Sequence, residues 1–216
     1  IWVGMARETA HQLGTPISSL MGWLEWLKKK PDDQDKIIND ISIDLDRLQQ
    51  VSDRFSKMGS ETKLKEIHLS SIIDNVVLYF NRRIPSMGKS IVIDNQLDSN
   101  IKIRANGILI SWAIENVVKN AIDALDNEGS ITLKSKIDKK NITIQIEDSG
   151  KGILRKDWKN VFRPGFSTKK QGWGLGLSLT SRIIKEIHGG TIYVSKSQPD
   201  QGSIIEISLP ILNNAN

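Results

Sequence analysis

Apolar residues recur along the first 58 positions with alternating spacings of four and three. Ala6, Ala10, Leu13, Ile17, Leu20, Leu24 and Leu27 follow this rhythm, and so do Ile38, Ile41, Leu45, Leu48 and Phe55 after a break, with the small polar Ser52 at the one remaining seam position. A seam of this period predicts two amphipathic helices with a/d-type faces. Between them KKKPDDQDK, with its Pro and run of charges, predicts a turn. Two helices cannot enclose such a seam on both sides. Pairing two hairpins into a four-helix bundle does, so residues 1–58 are predicted to form a homodimer.

The period lapses in MGSETKLKE, and residues 59–66 read as a linker. From 67 to 216 the pattern is that of one α+β domain. A short strand at 66–70 leads into a helix at about 71–84, followed by strands near 90–97 and 101–105 and a long helix at about 107–126. ITLKSKI and ITIQIED alternate apolar with polar between 131 and 148 and predict a hairpin. A polar, Gly-rich stretch at 149–172 has no period. It precedes a helix at about 174–188, which ends at Gly189-Gly190, and two last strands, TIYVSKS and SIIEISLP. The expected architecture is a mostly antiparallel sheet covered by helices on one face.

Composition narrows the classes of function. The 216 residues are 38% hydrophobic and 25% charged, ordinary values for a chain with a packed core. No apolar run approaches the roughly 18 residues needed to span a bilayer, and no signal peptide opens the chain. The opening falls in mid-helix without an initiator Met, so the sequence reads as part of a longer protein, with any membrane attachment upstream and this part cytoplasmic. Without cysteine, disulfides and thiolate metal sites are excluded. The net charge of +5 is dispersed, and the one tight cluster, Lys28-Lys29-Lys30, is followed at once by Asp32, Asp33 and Asp35. A solvated loop accounts for it, and no nucleic-acid partner is expected.

On the first helix His11 lies roughly 140° from the centre of the apolar stripe, facing solvent, with Thr15 one turn on. An exposed His carries no meaning alone; its surroundings do. Pro16 inside the helix removes a backbone hydrogen bond and bends the axis just beyond His11. A neutral imidazole nitrogen is a competent nucleophile near pH 7. ARETAHQLGTPISSL resembles the phosphoacceptor segment of the histidine kinases, in which an acidic residue follows the His and a Pro stands five residues on. Here the neighbour is Gln12, an amide that orients the ring but takes no proton. Loss of general-base help is worth about 10² to 10⁴ in rate. The resemblance implies that Thr15 positions water for dephosphorylating a partner; an exposed helix hydroxyl is the bland alternative.

Four stretches of the second domain carry chemistry in combination. ENVVKNAIDAL sets Asn116 and Asn120 one turn apart on one helix face, where carbonyl oxygens suit Mg²⁺. A strand ends in Asp148, followed by Gly150 and Gly152, where a carboxylate can accept the exocyclic amine of adenine and glycines permit close approach. VFRPGFSTKK supplies Arg163, Ser167, Thr168 and Lys169 on a segment read as a lid. GWGLGLS opens a helix, with Gly172, Gly174, Leu175 and Gly176 offering backbone N–H groups to phosphate.

Each stretch is weak alone. In this order they resemble the nucleotide-binding boxes of the histidine kinase, gyrase, Hsp90 and MutL superfamily, across essentially the whole second domain. The resemblance implies an α/β sandwich that binds ATP, with Asn120 as the Mg²⁺ ligand, Asp148 as the adenine reader and 153–171 as the lid. ATP-hydrolysing members carry a Glu where this chain has Asn116, which cannot act as a base; Glu115 points about 100° away. Phosphoryl transfer to His11 is therefore favoured over hydrolysis. Asp123 and Ala124 replace a Lys and a Tyr common in the kinases, leaving Lys119, Arg163 or Lys169 to supply basic contacts. The implied onward acceptor is an Asp of a response-regulator receiver domain. Gln12 and Thr15 keep open a nucleotide-binding scaffold or a regulator phosphatase. His68 reads as structural, His188 as a favourable charge at a helix C-terminus, Trp23 and Trp26 as bundle packing, and Trp158 and Trp173 as brackets of the lid.

Overall fold

The computed structural model describes residues 2–29, helical positions within 34–49, and residues 63–97, 101–138, 140–168 and 174–211. The chain divides into two compact units, Ile1–Glu61 and Thr62–Asn216.

In the first unit, α1 (Trp2–Lys29) runs 28 residues and continues through Pro16, which is buried. Residues 34–35, 37–38, 40–42, 44–45 and 48–49 are also helical. Ile37 is buried, and so is the charged Asp44, which accepts a hydrogen bond from Trp23 Nε1 at 3.2 Å. Trp23 and Trp26 form a tilted ring pair 6.3 Å apart. Trp23 thus forms a polar tie between the two arms, whereas Trp26 and the seam residues Ile17, Leu24, Ile38 and Leu45 are exposed. Ser52 and Phe55 of the seam lie outside the described residues, as do the side chains of Ala6 and Ala10.

The second unit opens with β1 (Lys65–His68), which turns directly into α2 (Leu69–Arg83). Leu69, Ile73, Val76 and Phe80 recur at helical spacing and bury one face of α2. Then follow β2 (Ser90–Gln96), β3 (Lys102–Ala105) and α3 (Gly107–Ala124). β4 (Glu128–Ile137) and β5 (Asn141–Asp148) form the hairpin their alternation predicts, paired antiparallel from Ile131 with Asp148 to Ile137 with Ile142. After short 3-10 turns at Arg155–Asp157 and Asn160–Phe162 comes α4 (Gly176–Arg182). β6 (Thr191–Ser197) and β7 (Ser203–Pro210) complete the unit.

The main sheet has the order β2-β4-β5-β7-β6. Only β2 and β4 run parallel, since their connection passes through β3 and α3; the other pairs are antiparallel. Ile142, Ile144 and Ile146 of β5, with Ile205, Ile207 and Leu209 of β7, form the buried face under the helices. β1 and β3 stand apart from this sheet as an antiparallel ribbon, joined to the chain end by a bridge between Ile103 and Ile211. The final helix differs from expectation: α4 stops at Arg182, and Ile183–Ile187 continues as a π-turn before Gly189 leaves the helix at φ +63°. Among the described residues no helix is long and apolar enough to cross a membrane.

Candidate functional site

α3 begins where Asn106, in extended conformation, accepts the Leu109 N–H on its side chain at 3.2 Å. Its face of Leu109, Ile110, Ala113, Ile114, Val117, Val118, Ala121 and Ile122 is buried. That burial leaves Asn116 and Asn120 half-buried at the margin and Lys119 and Asp123 exposed. Asn116 Nδ2 donates to the carbonyl of Gly176 at 3.4 Å, which joins the Asn-bearing helix to the start of α4. At the other end of α3, the Lys89 ammonium donates to the carbonyls of Ile122 at 2.9 Å and Leu125 at 2.6 Å. A cation there satisfies C-terminal carbonyls and opposes the negative end of the helix dipole.

β5 delivers Asp148 to the edge of this face, only 8% exposed. Its Oδ1 accepts the Gly150 N–H at 2.9 Å. Burial pushes the carboxyl above the usual Asp range, partly opposed by the backbone N–H groups of Gly150 and Ser203. Two glycines let the chain pass. At Gly150 a Cβ would stand 2.5 Å from the Ala124 carbonyl oxygen, so the loop lies directly against the last turn of α3. Gly152 has φ +70°, and a Cβ there would meet the Gln198 carbonyl oxygen.

The stretch beyond is anchored at its root. Ser197 Oγ accepts the Ile153 N–H at 2.7 Å, and Trp158 Nε1 donates to the Ile153 carbonyl at 3.1 Å. The Arg155 guanidinium lies 3.8 Å over the Trp158 ring. Arg163, Ser167 and Thr168 are exposed. Gly174 returns the chain, its carbonyl accepting the Gly165 N–H at 3.1 Å, and Leu175 leads into α4. Gly176 is the first residue of α4, 3.6 Å from Asn116 Oδ1 measured from where its Cβ would be.

The structure therefore groups Asn116 with Gly176 and Asp148 with Gly150 and Gly152, at the middle and the end of one helix. Lys169, Gly172 and Trp173 lie outside the described residues. His11, Gln12 and Thr15 are on α1, with their side chains outside what is described. The expectation for His188 is corrected. It is buried, at 6% exposure, with Nδ1 against the Ile183 carbonyl at 2.8 Å and Nε2 accepting the Asn106 N–H at 3.0 Å. Burial holds its pKa below the ordinary His value, so it is neutral and not a helix-terminal charge. Sequence reasoning also missed Lys89 and Ser197, whose partners lie 33 to 44 residues away along the chain. A pocket of about 60 Å³, bordered by Asp148, Ser197, Gln198 and Ser203, is far below the roughly 300–1,000 Å³ of small-molecule sites. Among the described residues no group of three or more His, Cys, Asp or Glu could hold a metal. A divalent ion here would need the phosphates and water to complete its shell, as Mg²⁺ accepts.

Residues 105–213 match the family of histidine kinase-, DNA gyrase B- and HSP90-like ATPases, and residues 3–61 match the His Kinase A (phospho-acceptor) domain. Sporulation kinase E of Bacillus subtilis (strain 168) is 27% identical over 216 residues, covering 98% of this chain and 29% of the relative. Sensor histidine kinase ZraS of Salmonella typhi is 27% identical over 215 residues, covering 96% of this chain and 45% of the relative. Histidine kinase ThkA, solved in complex with the response regulator protein TrrA, is 25% identical with a TM-score of 0.60, over 98% of this chain and 62% of that one. The chain spans between 29% and 49% of the length of such curated relatives.

Proposed function

Because the chain belongs to the histidine kinase-, DNA gyrase B- and HSP90-like ATPase family and carries a His Kinase A (phospho-acceptor) domain ahead of it, we propose that it transfers the γ-phosphoryl group of ATP to its own His11. The observation that carries this reading is Asn116. It stands one turn before Asn120, where a water-activating carboxylate would serve hydrolysis, and its amide is bonded to Gly176. An amide takes no proton, so a nucleotide held here keeps its γ-phosphate for an external nucleophile.

In this reading Asp148 accepts the exocyclic amine of adenine, and Gly150 and Gly152 let its loop lie against the Ala124 and Gln198 carbonyls. The N–H groups at the start of α4 and the basic residues Lys119, Arg163 and Lys169 take the phosphates, with Ser167 and Thr168 beside them. Asn120, an oxygen donor on a rigid helix, fits as the one side-chain ligand of a Mg²⁺ that neutralises triphosphate charge. A lone pair of the neutral His11 imidazole attacks the γ-phosphorus, the bond to the β,γ-bridging oxygen breaks, and ADP leaves. Gln12 orients the ring. The phosphorylated ring releases its N–H proton to water, and the phosphoryl group then passes from the imidazole nitrogen to an Asp carboxylate of a response-regulator receiver domain, with the hairpin as homodimer and docking surface. We place this part of the protein in the cytoplasm, with any membrane attachment in a region outside the sequence.

Gln12 favours one second reading, a nucleotide-binding scaffold or regulator phosphatase with little autokinase activity, in which Thr15 positions the attacking water. Incubation with γ-labelled ATP and Mg²⁺ separates the two. The first reading expects acid-labile, base-stable label that is lost in His11→Ala and Asn120→Ala. Nucleotide binding without label on His11 moves the second reading ahead.

A further inference from the structure

The two helices that wall the proposed phosphate site meet through polar contacts at three levels. Near the site, Asn116 Nδ2 donates to the Gly176 carbonyl at 3.4 Å. Farther along, Thr180 Oγ1 bonds the Gly176 carbonyl of its own helix at 2.9 Å and reaches across to the Ala113 carbonyl of α3 at 3.4 Å. At the far end His188 takes the N–H of Asn106, the capping residue of α3, while its other nitrogen binds the Ile183 carbonyl. Thr180 and His188 are both buried.

The chemistry of the partners fixes the state of this imidazole. A carbonyl only accepts, so Nδ1 carries the proton; a backbone N–H only donates, so Nε2 is bare. His188 is therefore a neutral ring of one tautomer, spanning the cap of α3 and the start of the π-turn that follows α4. Apolar contact between the helices is non-directional and tolerates sliding. The His188 bridge does not: a slip takes Nε2 away from the part-buried Asn106 N–H and leaves that donor without its partner.

We infer that these contacts form a polar ladder that sets the register of α4 against α3, with His188 as its far-end positioning residue, and so keeps the glycine start of α4 beside Asn116. Asn106 is ten residues, about 15 Å of helix, from Asn116. His188 thus acts on the nucleotide through helix register and not by contact. The inference rests on the reading of this face as a nucleotide site.

The test measures binding of ADP with Mg²⁺ by calorimetry on the full chain at 15 °C, alongside thermal melts. His188→Leu removes both bridge bonds and is expected to weaken binding about 10-fold while still melting cooperatively. His188→Gln, whose amide can accept from Asn106 and donate to Ile183 without titrating, is expected to restore binding to within about threefold of the parent. Val76→Ala, a core truncation on α2, matches the loss of melting temperature and is expected to leave affinity within about twofold. If His188→Leu does not fold, Thr180→Val decides, with an expected loss of about threefold. A folded His188→Leu protein that binds like the parent, or loses no more than Val76→Ala, overturns the inference; so does unchanged affinity in Thr180→Val when that variant decides. A parent that binds no nucleotide instead sinks the underlying site assignment.

Discussion

At Asp148 the proposed binding role and the stability of the fold pull in opposite directions. It is a buried carboxylate whose pKa burial raises, which means the folded chain binds its proton more tightly than the unfolded chain. Ionisation above that raised pKa therefore costs stability, and the cost vanishes as pH falls through the ordinary value of 3.8. Asp148→Asn removes the charge while Oδ1 can still accept the Gly150 N–H. At pH 8 the variant is expected to melt about 1–3 °C higher, with no gain near pH 3.5. Its affinity for ADP is expected to fall at least about 10-fold, since a hydrogen bond to a charged acceptor is worth about 1.5–3 kcal/mol. Calorimetry and melting curves at the two pH values check both arms. A destabilised variant with undiminished affinity would mean that Asp148 is a structural residue and not the adenine reader. The placement of Asp148 was legible because a carboxylate, two glycines and a strand end are adjacent in sequence. That of His188 was not. A local rule about charge at helix ends has no access to Asn106, 82 residues earlier, whose N–H requires a neutral ring.

At the level of elements, legibility followed the source of each element's stability. The β4–β5 hairpin and α2 were readable because one buried face writes its own period into the sequence. The β1–β3 ribbon and the parallel β2–β4 pair were not. Their defining feature is which backbone edges meet, and side-chain pattern does not encode that. The end of α4 was misjudged for a similar reason: apolar spacing runs on through the π-turn, while the Ile183 carbonyl is taken by the His188 ring. Lys89 belongs to this scale, because its ammonium closes the last turn of the Asn-bearing helix from the loop that precedes β2. Lys89→Met keeps the aliphatic stem and removes the charge from the Ile122 and Leu125 carbonyls. The expected cost is about 1–2 kcal/mol, a drop of about 3–8 °C in melting temperature. Faster hydrogen exchange should appear in the final turn of α3, and Lys89→Arg should recover about half the loss. A Met variant melting within about 1 °C of the parent would show that water caps the helix equally well.

Across the whole molecule, the two units manage apolar surface differently. The second unit closes its own core: Ile110, Ile114, Ile131, Leu133, Ile144 and Ile207 have no measurable exposure. Among its described residues the first unit leaves apolar side chains open. Ile17, Met21 and Leu24 are 47%, 66% and 54% exposed at positions that share one face of α1, and Ile38 and Leu45, seven residues apart, are 47% and 52% exposed on the second arm. Full burial of an aliphatic side chain stabilises by about 1.5–3 kcal/mol, so half-burying five of them on a second copy, counted on both protomers, offers on the order of 10 kcal/mol before the cost of association. A homodimer through this face is the economical way to cover it. Leu24→Glu with Leu45→Glu is expected to convert a dimer to a monomer in light scattering at about 10 µM. Nucleotide affinity, which the proposed function assigns to the second unit, should stay within about twofold of the parent. Retention of the dimer would place the interface elsewhere, and loss of nucleotide binding would show that the second unit needs the assembled hairpin.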